Sequence, residues 1–118
     1  MSIIAVTMPV FDAAQFKTFS ERLRASAIPV LAGIMPLESG RHAEFMANEV
    51  PGVRVPDAIV ERMRRADVDG RARDEGLAIA REIIADIRAL VQGVQISTAP
   101  RAMEMALGLI EGLGAAGA

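Results

Sequence analysis

Ile28-Pro29-Val30-Leu31-Ala32-Gly33-Ile34-Met35-Pro36-Leu37 decides how the rest of this chain is read. Val30 to Met35 is an unbroken run of apolar or small residues, and it stops at Pro36. Such a run reads as a strand buried on both faces, the habit of parallel sheets. A polar turn with Ser39 and Gly40 comes next, and a helical pattern follows it. A strand feeding a helix through a short polar loop puts Glu38, Ser39, Arg41 and His42 at the strand's C-terminal end. In parallel α/β folds that end is where ligands bind and chemistry takes place.

Working outward, Ile3 to Met8 is a β-branched apolar run bounded by Pro9, which predicts a first strand. Asp12 stands three residues before Gln15 and reads as a helix N-cap, with Phe16, Phe19 and Leu23 on the apolar face behind it. Ser39 can cap a short helix with Ala43, Phe45 and Met46 as its apolar positions, broken at Pro51-Gly52. Pro56-Asp57 opens another helix to about Ala66, and Asp69-Gly70 is a turn. From Ala72 onward, Leu77, Ala80, Ile83, Ile84, Ile87, Leu90 and Val91 make an apolar stripe. Val94 to Ser97 predicts a third strand. Pro100 then begins a last helix with Met103, Ala106, Leu107 and Ile110 inward, and its Gly112 and Gly114 should fray.

The order is strand–helix, strand–helices, strand–helix, and crossovers of that kind make strands parallel. The expected fold class is α/β, three parallel strands with helices, and residues 1–118 are expected to form one domain. Three such strands leave two open edges and one uncovered apolar face, without charged residues to guard them. The chain reads as a slice of something that should close.

Composition narrows the function. At 118 residues with a formal charge of −2, the chain has no cluster of Lys or Arg for nucleic acid or an anionic membrane. Lys17 is the only lysine, and four Phe are the only aromatics, so bases have no stacking platform. Cysteine is absent, which excludes disulfides, thiolate catalysis and Cys-ligated metal. Mean hydropathy is high at +0.31, yet no run approaches the roughly 20 residues of a membrane span. No signal peptide is visible, and a cytoplasmic setting is expected.

The ordered pieces Thr7-Met8-Pro9-Val10-Phe11-Asp12, Ile28 to Leu37, Ala43-Glu44-Phe45, Asn48-Glu49-Val50-Pro51-Gly52, Val55-Pro56-Asp57, Glu75-Gly76 and Val91-Gln92-Gly93-Val94 cover nearly the whole chain. Together they resemble the C-terminal part of methylenetetrahydrofolate reductases, in particular the reductase module fused to homocysteine methyltransferases in bacteria. The resemblance implies a TIM (β/α)8 barrel holding FAD, with residues 1–118 as its C-terminal segment, a partial barrel of about three βα units. Such a barrel passes hydride from NAD(P)H to methylenetetrahydrofolate, and this chain would carry the last three strands. It implies substrate contacts at Met8, Gly40 and Arg101, and cofactor contacts at Ala99 and Arg101. Two positions depart from the family: Met8 stands where Gln is usual, and Gly40 where an apolar residue stacks on folate. Arg101 is kept, and Ala99 is smaller than usual. No catalytic residue and no metal ligand are assigned.

Each of these residues also has a plainer reading. Arg101 can be a solvated Arg in a helix's first turn, His42 a surface helix residue, and Ser39 an N-cap. His42 is the only histidine, so no multi-His metal site exists. Glu38 has no partner carboxylate for acid–base pairing. Met8 and Met35 read as core, and Gly33 as a close-packing position. The expected partners are a folate substrate, and either further copies of this chain or a separate N-terminal half-barrel. The competing function is a non-catalytic half-barrel acting as an assembly module, or a truncated product without activity.

Overall fold

A computed structural model describes the backbone of residues 3–117 and the side chains of residues 3–112. The strands are β1 (Ala5–Pro9), β2 (Val30–Ile34) and β3 (Gly93–Ile96), joined in one sheet of order β1-β2-β3. Both pairings are parallel, with Ala5 opposite Val30, Val6 opposite Leu31, Ala32 opposite Val94 and Ile34 opposite Ile96. The helices are α1 (Ala13–Leu23), α2 (Gly40–Glu49), α3 (Asp57–Val68), α4 (Ala72–Ile87) and α5 (Met103–Gly117). Over the described residues the chain is therefore α/β with three parallel strands and five α-helices, the plan of a barrel segment.

Local chemistry sets the helix ends. Asp12 Oδ1 accepts the Gln15 amide at 3.0 Å, and Ser39 Oγ accepts the His42 amide at 3.0 Å, two N-caps that each satisfy an otherwise orphaned donor. Pro56 and Asp57 open α3 as expected, and Gly70 takes φ +71° in the turn before α4. The ladder continues past β2 and β3: Gln92 donates to the Val30 carbonyl and Ser97 to the Ile34 carbonyl, each at 2.9 Å.

Register gives the sheet two unlike faces. Val30, Ala32 and Ile34 point to the helices and join a core with Phe16 of α1, the isoleucines of α4 and Leu109 of α5. Leu31, Gly33, Gly93 and Gln95 share the opposite face with Val6, which is 54% exposed. Near Pro9 the β1–β2 register shifts. There the Gly33 amide donates to Thr7 Oγ1 at 2.9 Å, and a Cβ on Gly33 would stand 2.6 Å from the Thr7 carbonyl oxygen. Only glycine fits, so Gly33 serves packing. Gly76 does the same job between α4 and the segment after β2, because a methyl there would overlap the Leu37 carbonyl.

Several expectations are corrected. Pro9 lies inside β1 at the sheet's edge, where a missing amide costs no ladder bond. Met8 is not core; it lies at the register shift of β1 and is 52% exposed. Phe19 and Phe45 are exposed, while Phe16, Ala43 and Met46 are buried. The buried stripe of α4 is Gly76, Ile79, Ala80, Ile83, Ile84 and Ile87; Leu90 lies beyond the helix and is exposed. On α5 the inward residues are Met105, Ala106 and Leu109, preceded by Ala102, whereas Met103, Leu107 and Ile110 face outward. The helix also continues through Gly112 and Gly114 rather than ending at them.

Candidate functional site

Two clefts open at the C-terminal ends of the strands. The larger, about 700 Å³, lies after β2 and β3 and is walled by Met35, Glu38, Ser39, Arg41, His42, Phe45, Met46, Arg73 and Arg101. Its centre is Glu38, whose side chain is only 14% exposed. One carboxylate oxygen lies 3.3 Å from Arg101 Nε and 3.8 Å from an Arg73 guanidinium nitrogen. Arg101 Nη2 reaches the other oxygen at 3.5 Å. Glu38 thus serves as counter-ion to two arginines delivered by different parts of the chain, one from the segment before α5 and one from α4. Both guanidiniums keep a free face toward solvent.

His42 stands beside this group on the first turn of α2. Its Nδ1 accepts the Glu38 amide at 3.1 Å. Burial pushes the imidazole pKa below its ordinary value; the Glu38 carboxylate pulls it up and the Arg101 guanidinium adds to the lowering. A cationic cleft with a neutral imidazole and an internal carboxylate can hold a carboxylate or another polar anionic group by exchange against Glu38. A single carboxylate without a second acid or base offers no proton-transfer pair.

The second cleft, about 330 Å³, follows β1 and is lined by Met8, Val10, Phe11, Phe16, Phe19 and Arg54 among others. Asp12 and Arg54 close one side of it with a 2.8 Å ion pair. The Gln15 amide and Arg54 hold the Asp12 carboxyl below the usual carboxylate range.

The sequence-predicted positions are therefore divided. Arg101 is in the first cleft and Met8 in the second. Gly40 lines neither: its amide donates to Asp67 Oδ2 at 2.6 Å, and a Cβ there would meet that oxygen at 2.7 Å and the Arg64 Cα at 3.2 Å. The lack of a side chain at Gly40 is explained by the close approach of α2 to α3. Ala99 is half-buried, and its carbonyl accepts the Ala102 amide at 2.8 Å, starting the turn that carries Arg101. Sequence reasoning missed Arg73. Nothing local marks it, because its partner Glu38 is brought to it by folding.

Residues 4–107 match the family described as methylenetetrahydrofolate reductase. The chain belongs to that family. A search among curated proteins found no match. Methylenetetrahydrofolate reductases are generally flavin-dependent oxidoreductases, so the two clefts can be tested against FAD. A flavin needs an apolar slot for its ring system and donors along its pyrophosphate. Here Arg73 and Arg101 of the first cleft are already shared on Glu38, Phe45 stands half in solvent, and the apolar residues of the open face form one wall without an opposing one. These residues do not by themselves fit FAD. Among the described residues no group of three or more His, Asp or Glu is placed to hold a metal ion, and no helix is long and apolar enough to cross a membrane.

Proposed function

We propose that this chain is one arc of a methylenetetrahydrofolate reductase barrel, supplying part of the folate and nicotinamide side of the pocket. The complete barrel carries out NAD(P)H-dependent reduction of 5,10-methylenetetrahydrofolate to 5-methyltetrahydrofolate. The observation that carries this reading is the Glu38–Arg101 pair at the C-terminal ends of adjacent parallel strands, in a chain whose residues 4–107 match the family. Arg101 meets the polar or anionic end of the substrate, and Ala99 and Met8 give small and apolar surface beside the cofactor and the folate. A preorganised site needs all of its walls. The remaining walls, and FAD with them, come from a partner that covers the open sheet face.

The second reading, an assembly module without catalysis, is favoured by one observation: Val6 and Leu31 put apolar surface on an uncovered face, whatever chemistry the clefts retain.

Mixing the purified chain with FAD, followed by gel filtration and light scattering, tests both. Alone it should elute colourless. Coexpressed with the N-terminal strands of a family reductase, it should elute as a yellow complex that oxidises NAD(P)H with methylenetetrahydrofolate. Arg101→Ala should then cost about tenfold in kcat/KM, the scale of one charged hydrogen bond. A stable but colourless and inactive complex supports the assembly module. A yellow, active chain without any partner overturns the arc.

A further inference from the structure

Ser39-Gly40-Arg41-His42 has the spacing of a capping box, in which the N-cap hydroxyl and the side chain three residues later bond back to each other's end of the first turn. Glutamate or glutamine is the usual third-position acceptor; here it is histidine. The forward bond is the ordinary one, from the His42 amide to Ser39 Oγ at 3.0 Å. The return bond runs from the Glu38 amide to His42 Nδ1 at 3.1 Å, one residue before the cap. An N–H can be accepted only by an unprotonated ring nitrogen, so this bond requires a neutral ring with its proton on Nε2. A carboxylate or amide would keep such a bond in mild acid, whereas an imidazole loses it there by taking up a proton.

We propose that His42 is a positioning residue whose neutral ring holds the Glu38 backbone, and with it the carboxylate that pairs Arg101, and that mild acid releases this hold. Glu38 ties the loop after β2 to Arg101 ahead of α5 and to Arg73 of α4, so its placement sets the shape of the whole cleft. The charged groups lining the cleft with His42 are Glu38 from the loop, Arg101 from the segment before α5, Arg73 from α4 and Arg41 from α2 itself. Three cations and one carboxylate make a poor setting for an imidazolium. Burial and Arg101 favour the neutral ring, and only Glu38 opposes them. Protonation leaves the Glu38 amide without its acceptor and adds a fourth cation to the cleft. The inference concerns contacts within this chain and stands apart from the flavoenzyme reading.

The absence of any other histidine makes the experiment direct. In nitrogen-15 NMR of the full chain, the one imidazole should show an unprotonated Nδ1 and a protonated Nε2 at neutral pH. On acidification, the Glu38 amide resonance should move in the same step as the ring. His42→Asn, whose amide oxygen can take the place of Nδ1, should keep the Glu38 amide near its neutral-pH position with no titration step. His42→Ala should lower the protection of that amide against hydrogen exchange about fivefold, the scale of one hydrogen bond. Exchange read by mass spectrometry on the peptide holding residues 36–42 gives the same comparison where spectra are poor. A ring protonated on Nδ1, a Glu38 amide that stays still while the ring titrates, or equal protection in wild type and His42→Ala overturns the proposal.

Discussion

The two faces of the sheet are made from the same three strands and behave as different materials. On the helix side, Val30, Ala32 and Ile34 are at most 8% exposed and sit among residues of α1, α4 and α5. On the other side, Val6 is 54% exposed on a side chain of the same apolar kind. Composition cannot account for the difference, since Ile34 and Val6 would rank alike on any hydropathy scale. What differs is supply: among the described residues, helix side chains join the core on one side and none covers Val6 on the other. Stability should therefore be concentrated on one face, and capacity for association on the other.

The sharpest way to break this contrast is Gly76→Ala. A methyl at that position overlaps the Leu37 carbonyl on the packed side, and the variant should lose more than about 3 kcal/mol or fail to fold, read by circular dichroism and urea titration. Ile34→Ala should cost about 3 kcal/mol by leaving a cavity, while Val6→Ala on the neighbouring strand should cost under about 0.5 kcal/mol. Equal losses for the two would mean that the open face is covered in solution. Arg62→Ala removes the bridge from α3 to Glu75 and Glu82 of α4, which Arg62 meets at 2.6 and 2.7 Å, and should cost about 1 kcal/mol in the same titration, less at high salt.

The smallest effect is a matter of pH. The folded chain holds His42 with a lowered pKa, so between the two values it binds fewer protons than the unfolded chain. That contribution is complete above the ordinary imidazole pKa and is lost as pH falls toward the folded value. Wild type should lose at most about 1 kcal/mol there and His42→Asn nothing, measured as thermal midpoints across mildly acid pH. The carboxyls of Asp12, Glu75 and Glu82 are held below the usual carboxylate range by their arginine and amide partners, so their losses come only at more acid pH.

Particular residues show what a reader of the sequence could and could not see. The run Val30–Met35 announced β2 because its apolar continuity is a local property, and Asp12, Ser39 and Pro56 announced helix starts for the same reason. The face of α5 was not legible. Met103, Leu107 and Ile110 make as good a stripe as Met105, Ala106 and Leu109, and only contact with α4 decides between them. The spacing of Ser39 and His42 was open to view as a capping box, but its return bond to Glu38 depends on the exact turn of the loop. The Glu38–Arg101 pair spans 63 positions and exists only because β2 and β3 are neighbours.

Strand order in the sheet follows strand order in the chain, and each strand pairs with its immediate predecessor. During synthesis β1 can therefore zip onto β2 while β3 is still inside the ribosome, with no gap left for a later strand to thread. Growth of this kind is vectorial: the newest strand is always the rim, ready to accept whatever parallel segment is offered next.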